Sequence, residues 1–534
     1  MFYLYFFVII LVSLVFRVLC IDKAAGLWYD ELLMYNESML SVIDIIKYSI
    51  NSELHFPLYQ IILHYWTLIF GHADLSLRLL SAIFGFLACI CSYFVSENKS
   101  KNLLCMFLFG INSFLIYYSQ EVKIYSLLVF FAVLNLVFLI RICEKDKGHF
   151  LWILSAAGLV FTYTASFLYV IFEVILLSVY KFSKKVLLTS LGLLLVLVPA
   201  MLVILGHFEK YTANQNWFYT DCSSFLIVFQ NFFSPKLTAL DINNVDYFSS
   251  LIKNFDISIF ICVGVSVLIA GYFIFKSLKN DNINKIIFLS AVMFYLAYFA
   301  AFKIYDTGVL SRYLIIILPN FLVLIARGFD FKKSSIVLIS CFILINISYL
   351  CLGRDAAYKI GRLGFRPAAE VINKYADDGD VVLFRNDTEI LDKYLTKKVK
   401  KVSVLQDFVF KSEFFINNED AINKLSPQEK KNYIRNYLAD RTVSQNITAV
   451  YGLMYVLTER NSKLFIIVMT QFAKYDRDNF IKFVENNKDY NGISYNNLLY
   501  IKTLLDIREL CDKNLKFINS FKSGDFVVYE YQKN

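Results

Sequence analysis

The chain has 534 residues, 58% of them hydrophobic and only 18% charged, with a net charge of +9 and a mean hydropathy of +0.54. That much apolar surface excludes a soluble globular fold and marks a polytopic α-helical membrane protein. The basic residues fall mostly between apolar runs, which argues against a nucleic-acid partner. The ten cysteines show no metal-ligand spacing, and most, such as Cys89, Cys91, Cys105, Cys262 and Cys341, read as small buried hydrophobes.

In chain order, segments long enough to cross ~30 Å of hydrocarbon fall at roughly 2–21, 78–96, 103–119, 124–142, 150–165, 167–182, 186–206, 257–275, 285–303, 312–328 and 334–353, about eleven in all. The first lacks a basic leader and a small-residue cleavage site, so it reads as an uncleaved span. With the N-terminus in the cytoplasm, the loops carrying Lys99/Lys101, Arg141/Lys145/Lys147, Lys181/Lys184/Lys185, Lys276/Lys279/Lys285 and Arg327/Lys332/Lys333 are all cytoplasmic. The opposite loops are long and poor in Lys and Arg, as the positive-inside rule requires. An odd number of crossings places the tail outside. A hydropathy break near residue 354 therefore separates a membrane domain, 1–353, from an extracytoplasmic tail, 354–534, in a cell-membrane protein.

The first outer loop, 22–77, holds an acidic pair in Trp28-Tyr29-Asp30-Glu31. Beyond it Leu32, Tyr35, Met39, Val42 and Ile46 recur at helical spacing, opposite Asn36, Glu37, Asp44 and Lys47. This predicts one amphipathic helix, lying on the membrane or packed on protein. Pro57–Gly71 is apolar but covers only about 22 Å as a helix, and counting it as a crossing would put the later lysines outside. It reads as a re-entrant or interfacial helix.

A carboxylate at the mouth of a membrane protein can take a proton from an acceptor hydroxyl, although charged pairs in loops are mostly solvated. Further groups reach the same side. His55 lies in Leu54-His55-Phe56-Pro57-Leu58-Tyr59, and Arg78 opens a span in Leu77-Arg78-Leu79-Leu80-Ser81. Glu121, Lys123 and Tyr125 lie in Tyr118-Ser119-Gln120-Glu121-Val122-Lys123-Ile124-Tyr125, and Arg312-Tyr313 precede Pro319. Cations at the hydrocarbon boundary suit a lipid-linked phosphate, though each alone reads as a snorkelling anchor. Glu173, inside an apolar run, needs either a structural partner or a wet cavity. Trp28, Tyr29, Trp66 and Trp217 suit an interfacial belt, and Trp217 is also open as a sugar platform.

The order W-x-D-E, H-x-P-L-Y, F-G-x(6)-R-L-x-S-A-x-F-G, Y-S-Q-E-x-K-x-Y and S-R-Y-L-x(4)-P resembles glycosyltransferase family 39. That family holds the dolichyl-phosphate-mannose protein mannosyltransferases and the lipid A aminoarabinose transferases of the GT-C superfamily. The resemblance covers about residues 1–375, including Gly364-Phe365-Arg366-Pro367-Ala368-Ala369-Glu370. It implies a GT-C-like fold, a polyprenyl-phosphate-linked sugar donor, a lipid, glycan or protein acceptor, and inverting transfer on the outer face. Asp30 matches the catalytic aspartate and Glu31 its acidic neighbour. His55, Lys123, Arg312 and Tyr313 match positions that meet the donor phosphate, and Tyr59, Arg78, Glu121, Tyr125 and Trp217 are candidates to line the site. Lys123 stands where Arg is usual, so the charge is kept without the planar fork. His55, His64, His72 and His207 lack paired ligand spacing; no cofactor is expected, and a divalent ion is open but not indicated.

The tail alternates helix-like Arg366–Tyr375 and Asn479–Glu485 with strand-like Asp380–Phe384, Lys400–Leu405, Leu464–Met469 and Phe526–Tyr531, predicting a small α/β domain for acceptor recognition or lid support. Two other functions stay in view. A transporter or lipid flippase predicts inverted repeats or broken midplane helices, and no convincing repeat is present. A non-enzymatic scaffold leaves the outer charges unexplained.

Overall fold

The computed structural model describes residues 2–19, 21–22, 26–52, 56–206, 223–233, 257–305, 310–352, 364–384, 391–403, 463–469, 473, 479, 495–524 and 526–532. The chain forms two compact units, one of Met1–Lys23 with Leu33–Gly361 and one of Ala24–Leu32 with Arg362–Asn534.

The first unit is a helical bundle. Six of its described helical segments are long and apolar enough to cross a membrane: Asp74–Phe94, Tyr125–Lys145, Lys184–Gly206, Ile261–Leu278, Asn282–Ala301 and Ser311–Gly328. Shorter described apolar helices fall at four more of the expected spans, α1 (Phe2–Val18), α9 (His149–Thr162), α10 (Ser166–Tyr180) and α16 (Lys333–Leu352), and at Leu58–Phe70. Between α1 and α9 run α2 (Tyr29–Ser38), α3 (Val42–Ser52), α4 (Leu58–Phe70), α5 (Asp74–Cys91), α6 (Lys99–Ile111), α7 (Ser113–Tyr118) and α8 (Tyr125–Lys145). Then α11 (Lys184–Gly206), α12 (Ser223–Phe233), α13 (Ile257–Leu278), α14 (Asn282–Tyr305) and α15 (Leu318–Gly328) lead to α16.

The span expected at 103–119 is broken. The Asn112 side-chain oxygen accepts from the Leu115 N–H at 3.0 Å and so starts α7, while its amide nitrogen donates to the Phe232 carbonyl at the end of α12. The span at 312–328 opens as a 3₁₀ segment, Ser311–Ile317, because Pro319 is tolerated only in the first turn of α15. The single amphipathic helix expected over Leu32–Ile46 is two helices. The Ser41 hydroxyl accepts from the Asp44 N–H at 3.2 Å and pairs with its carboxylate at 2.6 Å, so a new N-terminus forms at α3. Capping chemistry overrode periodicity here.

The basic loops gather at one end of the bundle. The Arg327 guanidinium donates to the Val95 carbonyl (2.8 Å), Glu144 (3.3 Å), Asp281 (3.2 Å) and Asn284 (2.6 Å). Lys101 reaches the Arg327 carbonyl at 2.6 Å, and Lys185 pairs with Asp146 at 2.9 Å. Lys276 pairs with Asp330 at 2.7 Å, and with Ser335 it holds the Asp330 carboxyl down to about 2, so that carboxylate stays ionised at any physiological pH. Lys99 lies 5.7 Å over the Phe2 ring, which puts the start of α1 at the same end. α4 keeps to the opposite end: Tyr59 hydrogen-bonds Ser81 at 2.7 Å, and the Trp66 indole donates to the Ser76 carbonyl at 2.9 Å. Between these two contacts α4 runs alongside the first two turns of α5.

Glu173 is fully buried and has structural partners. With the Asn135 amide nitrogen facing it, that residue donates to both carboxylate oxygens at 2.9 and 2.7 Å and accepts from the Trp152 indole at 3.2 Å. Tyr169 extends the network to Asn320 at 3.0 Å, whose amide donates to the Ile287 carbonyl at 2.8 Å. Inside a bilayer such a carboxyl is tolerated only when neighbouring helices satisfy it.

In the second unit α17 (Arg366–Tyr375), β1 (Val381–Phe384), β2 (Lys400–Ser403), β3 (Lys463–Met469), α18 (Tyr495–Asn514), β4 (Lys516–Ser523) and β5 (Phe526–Gln532) build a five-stranded sheet, ordered β2-β1-β3-β5-β4. β1 runs parallel to β2 and β3, with Val381 opposite Lys400 and Leu464. β5 is antiparallel to β3 and β4. β1 is buried at all four positions, as a central parallel strand requires. Phe365 packs on Phe384 and Phe526, joining the start of α17 to the sheet. Of the helix expected at Asn479–Glu485, only Asn479 is described.

Candidate functional site

The acidic pair opens α2, and its two carboxylates differ in situation. Trp28 is the N-cap residue, and Leu32 N–H closes the first turn onto its carbonyl at 3.0 Å. Glu31 sits three positions after the cap. Its Oε2 accepts from the Trp28 N–H at 3.2 Å, and the residue is fully buried. That is the reaching-back half of a capping box, so Glu31 stabilises the turn. Asp30 is half-buried at the second helical position, where the positive end of the helix dipole favours a carboxylate. These residues, through Leu32, belong to the second unit.

The cationic candidates belong to the first unit. The loop 119–124 is held by Ser81, itself bonded to Tyr59, which donates to the Lys123 carbonyl at 3.5 Å, and within the loop Lys123 N–H returns to the Glu121 carbonyl at 2.8 Å. Glu121 is buried, whereas Lys123 is half-exposed. Arg312 is 5% exposed, its guanidinium 5.7 Å from the Tyr313 ring, and Asn231 holds the preceding Ser311 at 2.8 Å. Arg78 is 1% exposed and donates to the Ile21 carbonyl at 3.2 Å, where the chain leaves α1. His55 and Trp217 lie outside the described residues.

Tyrosines join the Lys123 loop to the Arg312 segment. Tyr163 hydrogen-bonds Tyr298, and both phenols lie within electrostatic reach of Tyr313; Tyr163 also senses Tyr125. The Tyr125 ring meets Tyr118 edge-on at 4.9 Å. Tyr125 and Tyr313 thus lie near the Tyr163–Tyr298 pair, two hydroxyls that sequence reasoning did not select.

Sequence reasoning also missed Arg17 and Gln120, which form a reciprocal clasp. Arg17, 1% exposed, donates to the Phe109 and Gly110 carbonyls at 3.0 and 3.3 Å, where α6 breaks. The Gln120 amide donates to the Phe16, Arg17 and Leu19 carbonyls at 2.9, 3.0 and 3.0 Å, where α1 ends. Helix ends inside an apolar bundle need such donors, because no water reaches their orphan carbonyls. The available signal was an arginine inside the first apolar run. Arg17→Ala strands the carbonyls of Phe109 and Gly110 at about 1–3 kcal/mol each. A fall of several degrees in the melting temperature of the purified protein is the expected result; an unchanged melt contradicts the clasp.

A helical bundle with its basic loops at one end, an acid-bearing helix soon after the first apolar helix and a small sheet-bearing unit from the C-terminal part of the chain make a GT-C-like fold of a polytopic membrane protein. Apo ArnT from Cupriavidus metallidurans matches 98% of this chain and 97% of its own, with a TM-score of 0.56 at 9% identity. The same protein bound to undecaprenyl phosphate matches with a TM-score of 0.50 at 11% identity, over 98% of both chains. The archaeal oligosaccharyltransferase AglB from Archaeoglobus fulgidus, in complex with an inhibitory peptide and a dolichol-phosphate, matches 99% of this chain and 74% of its own, with a TM-score of 0.51 at 11% identity. At these identities the likeness defines the fold. No family model matches the chain, and no curated protein sequence does.

Proposed function

We propose that this chain is an integral membrane glycosyltransferase of the family 39 type, which moves a sugar from a polyprenyl-phosphate-linked donor to an acceptor hydroxyl on the outer face. The observation that carries the reading is Asp30, half-buried at the N-terminus of α2 in a chain with the GT-C fold, beside a glutamate already engaged in capping. Asp30 accepts the proton as the acceptor oxygen attacks the anomeric carbon from the face opposite the leaving group. The bond from that carbon to the phosphate oxygen breaks, and polyprenyl phosphate departs with the electron pair. Arg312, Lys123 and His55 meet its growing charge, with Tyr313 as a further phosphate contact and Tyr125 as a candidate lining residue. Polyprenyl phosphates bound by ArnT and AglB support this donor class.

The N-terminus and the basic loops face the cytoplasm in this reading, and the C-terminal unit lies outside in the cell envelope. A flippase also handles polyprenyl lipids, so the test separates the two. Protein purified in mild detergent is expected to carry polyprenyl phosphate detectable by mass spectrometry, and proteoliposomes to show no lipid flux. Flux without transfer would overturn the reading.

A further inference from the structure

The segment bearing the acidic pair is held by the C-terminal unit. Leu27 N–H donates to the Tyr394 hydroxyl at 2.7 Å, and Trp28 forms an antiparallel bridge with Gly364. Leu27 is fully buried. Gly26, immediately before these contacts, has φ +79, and a Cβ there would fall 2.8 Å from both Arg366 Cβ and the Tyr394 hydroxyl. Three consecutive residues thus touch the same small area of the tail. Only glycine suits the first of them, since it combines a left-handed backbone with close approach.

That area is itself rigid. The Asn373 amide on α17 donates to the Tyr394 carbonyl at 2.8 Å and accepts from Thr396 N–H at 2.7 Å. The Arg366 guanidinium lies 5.7 Å from the Tyr394 ring, and Tyr394 N–H returns to the Leu391 carbonyl at 2.9 Å. Next to Gly364, Phe365 packs onto β1 and β5 through Phe384 and Phe526. The tail bonds the chain two and three residues before Asp30, where α2 begins.

We propose that the C-terminal α/β unit is the fixture that aims Asp30, with Tyr394 as a positioning residue acting through the Leu27 amide. This rests on the reading of Asp30 as the proton acceptor. It assigns the tail a part in turnover that a detached acceptor-binding domain would not have. A shift of the carboxylate by about an ångström costs up to a hundredfold in rate, so loss of one such tether has a measurable consequence.

The test is Tyr394→Phe in the full-length protein, which keeps the ring over Arg366 and removes only the hydroxyl. Hydrogen exchange at Leu27 is expected to accelerate at least tenfold, and kcat to fall about ten- to hundredfold with the donor KM unchanged. Gly26→Ala is expected to do the same more severely. Unchanged exchange at Leu27 would overturn the proposal, as would a loss of donor binding that matches the loss of turnover, which marks general unfolding. Asp30→Asn is the control: full turnover in that variant sinks the base assignment, while exchange at Leu27 still decides whether the tail holds the segment.

Discussion

Asp30→Asn is expected to lower kcat by about 10²–10⁴ while leaving polyprenyl phosphate binding intact. Asparagine has the shape of aspartate and keeps an oxygen at the N-terminus of α2, so the helix start survives. What is lost is the capacity to take a proton. Glu31 cannot substitute, because its Oε2 is spent on the Trp28 amide and the residue is fully buried. The measurement is sugar transfer from a polyprenyl-phosphate donor pool, with donor affinity read separately. Parental turnover in the variant would remove Asp30 from the chemistry.

The second large effect is expected at Arg312. Replacing it by alanine removes the cation assigned to the departing phosphate, a loss of about 10²–10³ in kcat. Arg312→Lys keeps the charge but not the planar fork, and is expected to recover part of that loss. Because Arg312 is 5% exposed within a 3₁₀ segment, the melting temperature of both variants must be followed. A lysine variant as inactive as the alanine variant, with both melting like the parent, would show that charge at this position is not what turnover needs.

The membrane fold was legible because hydrocarbon sets a minimum length on any crossing, and basic loops must share a side. Arg327, bonded to residues of three other basic loops, is the structural form of that rule. Local chemistry was harder to see. Asn112 and Ser41 break helices through hydrogen bonds that a hydropathy pattern does not register. β4 escaped because six of its eight residues are exposed at the sheet edge, so no alternation marks it. α18 carries charge into its buried side, where Lys502 and Asp506 lie, and lacks a clean apolar stripe.

In the candidate site, the acidic pair was visible as a motif but the division of labour within it was not. The N-cap residue is Trp28 rather than Ser or Thr, so nothing in the sequence announced a capping box. Tyr163 and Tyr298 are two among 36 tyrosines, and only the packing of α8, α9, α14 and the 3₁₀ segment brings them to Tyr125 and Tyr313. The tether from Tyr394 to Leu27 spans 367 residues of chain, a separation across which no local pattern carries information.

The most direct test is to incubate the purified protein with a pool of polyprenyl-phosphate sugars and a membrane-derived acceptor extract, and to follow the lipid product by mass spectrometry. One polyprenyl phosphate released for each sugar joined to an acceptor, with inverted anomeric configuration and with Asp30→Asn silent, is the predicted outcome. Sugar-loaded lipid recovered intact from a folded, lipid-binding protein would contradict it.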